Sequence, residues 1–206
     1  APYLRSYLQE QLKTWASENP KSDGSRYNIY TDGLKIHTTI DYSLQAAAEK
    51  AMQQHLASLQ KEFDQQWKSR EPGIGNIRIA EKEIKQSKRY RSLERQGLTE
   101  SEIVAEMKKP VKTKIFTWQG EKTTEVSPID SVLHHFAMLH AGLISIESRT
   151  GFVKAWVGGI NYKYFKYDHV TAHRQAGSTF KPVVYSVALE EGISPCEFYT
   201  NDSIVY

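Results

Sequence analysis

Cysteine is nearly absent from this chain of 206 residues. Cys196 stands alone, so no internal disulfide can form, and its presence does not fix a redox compartment. No run of apolar residues approaches the ~20 needed to cross a bilayer as a helix. The first residues do not read as a signal peptide. A strong excess of one charge is missing too. The 27 Lys and Arg against 24 Asp and Glu leave +3, too mild to argue for a nucleic-acid partner. With 39% hydrophobic residues and a mean hydropathy of −0.57, the composition fits a charged globular chain. The length suits one domain with room for a smaller appended lobe.

What is present divides into four parts. Residues 3–17 read as an amphipathic helix with Leu4, Tyr7, Leu8, Leu12 and Trp15 on one side, and 19–28 as a loop. Leu34 to Ile40 alternates like a strand, after which Asp41 can cap a helix running to about Lys68. That helix carries a core-facing stripe of Leu44, Ala48, Met52, Leu56, Leu59, Phe63 and Trp67. Residues 61–114 hold 14 basic and 9 acidic side chains, and Thr99 to Glu102 forms a capping box for at least one helix there. The cluster Lys85, Lys88, Arg89, Arg91 and Arg95 is better read as a solvated helix face than as a polymer-binding patch. Residues 143–157 hold two alternating apolar runs around Thr150-Gly151, which predicts a β-hairpin.

The chemistry lies in Arg174-Gln175-Ala176-Gly177-Ser178-Thr179-Phe180-Lys181-Pro182. Ser178 and Lys181 share a helix face at i and i+3. A serine needs a nearby base to become a nucleophile, and a lysine serves if its surroundings lower its pKa. Gly177 supplies a permissive backbone, Pro182 is tolerated in the first turn, and Gly192 stops the helix. Ser178 then sits at the positive end of the helix dipole. The bland reading makes Ser178 a helix cap and Lys181 a solvated first-turn residue.

Three stretches taken together resemble the transpeptidase domain of class A, bifunctional penicillin-binding proteins. The hairpin matches that family's "TG-x-V-x-A-x-V-GG" at Thr150, Gly151, Val153, Ala155, Val157, Gly158 and Gly159. The serine stretch matches "RQ-x-GS-x-FKP" at Arg174, Gln175, Gly177, Ser178, Phe180, Lys181 and Pro182. Farther upstream, Gly33-Leu34-Lys35-Ile36-His37-Thr38-Thr39-Ile40-Asp41, with Leu44-Gln45, is similar to "GL-x-V-x-TT-x-D-x-x-LQ". The resemblance covers residues 33–55 and 127–206 well and the middle poorly.

It implies an α+β fold, part of the penicillin-binding-protein and serine β-lactamase architecture: an antiparallel sheet begun by the 143–157 hairpin and backed by the Ser178 and 43–68 helices. On this reading residues 1–32 are a connector from a glycosyltransferase domain. Residues 33–206 then open the transpeptidase domain, with a charged insertion at about 61–126. Ser178 is implied as nucleophile, Lys181 as general base, and Gly177 and Thr179 as substrate-binding residues. The implied partners are peptidoglycan stem peptides on lipid II-derived glycan strands, and β-lactams. No cofactor, metal or nucleic acid is expected. The implied location is the outer face of the cytoplasmic membrane in the cell envelope, with anchoring left to a helix of the longer parent.

Several look-alikes are set aside. Ser58-Leu59-Gln60-Lys61 repeats the serine-x-x-lysine spacing in mid-helix, where serine faces water. Ser17-Glu18-Asn19 and Arg149-Thr150-Gly151 resemble the family's two downstream motifs but precede the nucleophile. His134, His135 and His140, on a helix predicted from Ser131 to His140, lack the i, i+4 pair of zinc helices. Asn201-Asp202-Ser203 is a formal glycosylation sequon, without meaning in a bacterial protein. Since no Ser-x-Asn or Lys-Thr/Ser-Gly follows Ser178, the chain is expected to be a piece of a longer enzyme and inactive alone. Two further classes remain open: a penicillin-sensing module without turnover, and a structural module. Acylation separates the structural module from the other two, and deacylation or amine transfer separates enzyme from sensor.

Overall fold

The computed structural model describes residues 1–68 and 80–198, so the 201–203 sequon lies outside the described residues. It divides into two compact units, Ala1–Thr171 and Ala172–Tyr206. In chain order the first unit holds α1 (Pro2–Glu18), α2 (Tyr42–Lys68), α3 (Glu81–Gln86), α4 (Lys88–Arg95), α5 (Glu100–Met107), β1 (Val111–Thr117), β2 (Gly120–Val126), α6 (Pro128–Phe136), β3 (Leu143–Ile146) and β4 (Val153–Val157). The second holds a 3₁₀ turn (Gly177–Phe180) and α7 (Lys181–Glu190). The α+β class read from the sequence stands, with two separate antiparallel hairpins, β1–β2 and β3–β4, among the described residues.

Local signals explain the starts and stops. The Asp41 carboxylate accepts from the Leu44 N–H at 2.9 Å and caps α2. Thr99 and Glu102 close the expected capping box on α5, with the Thr99 N–H reaching Glu102 at 2.8 Å. The predicted hairpin forms with Leu143 opposite Val157 and Ser145 opposite Ala155. Gly151, at φ +73°, gives its turn a conformation that other L residues resist.

Two cores result. Ala48, Met52 and Leu56 of α2 pack with Phe116, Ala155, Val157 and Ile160. Ala80, Ile84, Tyr90, Leu93, Ile103, Met107, Ile129 and Leu133 form the other, among the short helices.

Several expectations shift. Residues 34–40 form no strand. Their end and the next residue meet the start of β4: the Thr39 hydroxyl donates to the Val153 carbonyl (2.7 Å) and the Asp41 N–H to the Lys154 carbonyl (2.9 Å). Farther along, the open edge of β4 is occupied by a side chain. Buried Gln45 donates to the Trp156 carbonyl (3.0 Å) and accepts from its N–H (2.7 Å), as one residue of a third strand would. The stripe on α2 is therefore rotated: Gln45 and Gln60 are buried, while Leu44 and Leu59 are exposed. Gln45→Ala is expected to cost about 2 kcal/mol by orphaning two backbone groups, read from the denaturation midpoint with unchanged slope.

On α1 the buried residues are Tyr3 and Ala16. Leu4, Leu8 and Leu12 instead line a groove of about 640 Å³ shared with Ile29, Tyr30 and Ile36. α6 begins at Pro128, three residues before the expected start, because Ser127 caps it through the Asp130 N–H (3.1 Å). It ends at Phe136, where Gln60 takes the Ala137 carbonyl and the Leu139 N–H, so His140 lies outside the helix. The β1–β2 hairpin was not anticipated; only Phe116 of β1 is buried, and lysines and threonines make up most of the rest of the strand.

Candidate functional site

The serine stretch folds locally much as its residues demand. Gly177 adopts φ +54°, which a Cβ would oppose, and opens the 3₁₀ turn. The Thr179 hydroxyl and N–H both bind the Ala176 carbonyl, the latter at 3.2 Å, which tightens the bend. Lys181 is the first residue of α7, and its N–H donates to the Ser178 carbonyl. Ser178 lies in the turn and Lys181 three residues on, at the start of α7, a spacing that puts side chains on one face of a continuous helix. Ser178 precedes the ten-residue α7 and Lys181 opens it, so both stand at the positive end of that helix. Gly192, at φ +85°, terminates α7, and the Ile193 N–H reaches back to the Ala188 carbonyl at 2.9 Å.

Within the second unit, no side chain from Gly177 to Glu190 is buried. Phe180, Val183, Val184, Tyr185, Val187 and Leu189 are all about half exposed.

The look-alikes behave as solvated or local groups. Ser58 is exposed on α2, the Ser17 hydroxyl donates to the Thr14 carbonyl at 2.6 Å, and Thr150 accepts from the Phe152 N–H within its own turn (3.2 Å). Among the described residues no group of three His, Cys, Asp or Glu could hold a metal. In the basic cluster, Lys85 is held between Glu81 (2.8 Å) and Glu100 (3.0 Å), which raises its pKa. The Arg95 Nε donates to the Arg91 carbonyl (3.1 Å). Two of the five cations are thus engaged within the protein itself.

Within the first unit, sequence reasoning missed a tight seat around Gly158-Gly159. Tyr3 of α1 lies against both glycines and donates its hydroxyl to the Phe165 carbonyl at 2.7 Å. Burial pushes that phenol up to about 12. Asp168 accepts from the Trp156 indole N–H (2.9 Å) and from the Val170 N–H (2.9 Å), and Tyr7 stacks on Trp156 at 5.2 Å. The glycine pair was visible as a motif, but nothing in the sequence pointed to Tyr3 as its partner.

Comparison with known proteins bears on this arrangement. Residues 62–139 match the penicillin-binding protein middle domain, across much of the charged segment read as 61–126. Penicillin-binding protein 1A of Rickettsia felis is 30% identical over 213 residues, 87% of this chain and 26% of the relative. The Aquifex aeolicus protein of the same name is 30% identical, with 80% and 24% covered. That of Pseudomonas aeruginosa is 26% identical, with 100% and 28% covered. No solved structure matches. The chain belongs to the class A penicillin-binding proteins, and it spans about a quarter of the length of the curated relatives it matches. None of its described helices is long and apolar enough to cross a membrane.

Proposed function

We propose that this chain carries the nucleophile turn of a peptidoglycan D,D-transpeptidase. The Ser178 hydroxyl attacks the carbonyl joining the two terminal D-alanines of a stem peptide, while Lys181 takes its proton. The Ser178 N–H is half of the oxyanion hole, with Gly177 and Thr179 flanking the substrate. The peptide bond breaks, D-alanine leaves with its nitrogen protonated, and the acyl-serine passes its acyl group to an amine on a neighbouring strand. A β-lactam acylates the same oxygen, its ring nitrogen taking the proton. On this reading residues 1–32 are the connector to a glycosyltransferase half, residues 33–206 open the transpeptidase domain, and the whole protein acts in the cell envelope.

The observation that carries the reading is the placement of Ser178 and Lys181, three residues apart where a 3₁₀ turn runs into the positive end of α7. Its test is the intact mass after incubation with benzylpenicillin. In the longer parent, one penicillin-sized adduct is expected, lost in Ser178→Ala. The 206-residue chain alone is expected to gain none while remaining folded by circular dichroism. An adduct that survives Ser178→Ala would overturn the assignment.

A further inference from the structure

The mechanism leaves a cluster of imidazoles unused, and it sits where the two cores meet. Phe116 of β1 belongs to the core built on α2, whereas Leu133 of α6 belongs to the core of the short helices. Between these two elements, neighbouring histidines on α6 hold both backbone groups of Phe116. The Phe116 N–H donates to His135 Nε2 at 3.3 Å, and the Phe116 carbonyl meets His134 Nε2 at 2.7 Å. A carbonyl only accepts, so His134 carries its proton on Nε2. An N–H only donates, so His135 Nε2 is bare and its proton lies on Nδ1. The two rings, 5.4 Å apart, are held in opposite tautomers by one residue. A proton added to His134 leaves its bond in place. A proton added to His135 Nε2 sets N–H against N–H.

We infer that His134 and His135 form an acid-released clasp, in which protonation of His135 frees Phe116, and with it the β1–β2 hairpin, from α6. The surroundings favour release over accommodation of the charge. His135 packs on the rings of Tyr164 (5.5 Å) and Phe165 (5.6 Å), and His140 packs on the other reach of Phe165 (4.6 Å) while stacked on His169 (5.2 Å). His140 Nδ1 is buried without a hydrogen-bond partner. Burial, with a smaller contribution from His134, holds His135 down to about 4, and burial, then His169, does the same to His140.

The charged groups facing the clasp come from several elements. β2 contributes Glu121, β1 Lys114, and the loop after β4 Lys163 and Tyr164. Glu121 binds all three of the latter and is held down to about 2, while Tyr164 is pushed up to about 12 by desolvation and by Glu121. Neither changes charge between about pH 4 and pH 6.5, the window of the imidazoles. From α2, Gln60 holds the residues just past α6 and is itself bonded to Asp64 (2.9 Å). From α3, Lys85 and Glu81 pair with each other.

The sign follows from linkage. Folded-state values below the ordinary 6.5 carry no penalty above about pH 6.5. The unfolded or released form takes up the proton first, so the clasp weakens as the pH falls from there toward about 4, and no further below.

Amide exchange of the 206-residue chain tests this, because it reads Phe116 directly. Protection of the Phe116 N–H is expected to fall at least about tenfold between pH 7 and pH 4.5 relative to Thr113, which pairs with Thr124 across the hairpin. In His135→Gln, whose amide oxygen accepts without titrating, that fall should vanish; in His140→Gln it should persist. Parallel behaviour of Phe116 and Thr113 in the unaltered chain overturns the clasp, as does a fall that disappears in His140→Gln instead. Should His135→Gln fail to fold, nuclear magnetic resonance of the unaltered chain decides. A His135 midpoint near 6.5 with a static Phe116 amide overturns the inference, and a depressed midpoint with a linked Phe116 shift supports it. None of this depends on the nucleophile reading.

Discussion

Lys181→Ala is expected to slow acylation of Ser178 by a β-lactam about 10²–10⁴-fold in the longer parent, the usual contribution of a general base. Lys181 is the first residue of α7 and is exposed. Alanine is at home there, and surface substitutions of this kind move stability by less than about 0.5 kcal/mol. Activity should therefore fall without loss of fold, which separates a chemical role from a structural one. Lys181→Arg sharpens the test. Arginine keeps the positive charge and the length, but it does not give up its proton in proteins and so cannot accept one from serine. If Lys181 is the base, arginine should fail about as badly as alanine. Time-resolved intact mass of the acyl-enzyme reads both rates, and a Lys181→Arg protein acylating at the unaltered rate would sink the assignment.

How much of this was legible depended on how far apart the interacting residues lie. The Asp41 cap, the Thr99–Glu102 box, the 143–157 hairpin and the Gly177–Lys181 turn are all built from neighbours within a few positions, and each formed. Misreadings came where polar groups do distant work. Gln45 and Gln60 look like surface residues on a helix, yet they hold backbone 111 and 77 residues away and so are buried. Finishing the β4 edge with Gln45 also left 34–40 without a sheet position. The β1–β2 hairpin hid behind its composition, since Val111, Thr113, Ile115 and Thr117 alternate against lysines and a lone Phe116. At the candidate site, the turn was readable because its own residues build it.

Gly158→Ala is the stability test with the largest expected effect, because the residue has no room at all. A Cβ built there lies 2.3 Å from an Asp168 carboxylate oxygen and 2.6 Å from Tyr3 Cγ, well inside any real contact. Gly158 is not among the glycines with positive φ, so the requirement is steric alone. Neither neighbour yields freely. Asp168 is bonded to the Trp156 indole and the Val170 N–H. Tyr3 is fixed by its bond to the Phe165 carbonyl and by an edge-on contact with Tyr162 at 5.0 Å. Overpacking at so constrained a position should cost about 3 kcal/mol or more, a drop in Tm of roughly 6–12 °C for a chain of this size. Gly151→Ala is the informative comparison: it has open space and φ +73°, so only backbone strain of about 1 kcal/mol applies. The two substitutions thus separate collision from conformation. Placing Gly158→Ala in a Tyr3→Ala background should recover part of the loss, since one of the two colliding groups is gone. Strict additivity of the pair would mean that α1 does not press on the glycine seat in solution, and the coupling between α1 and β4 would have to be abandoned.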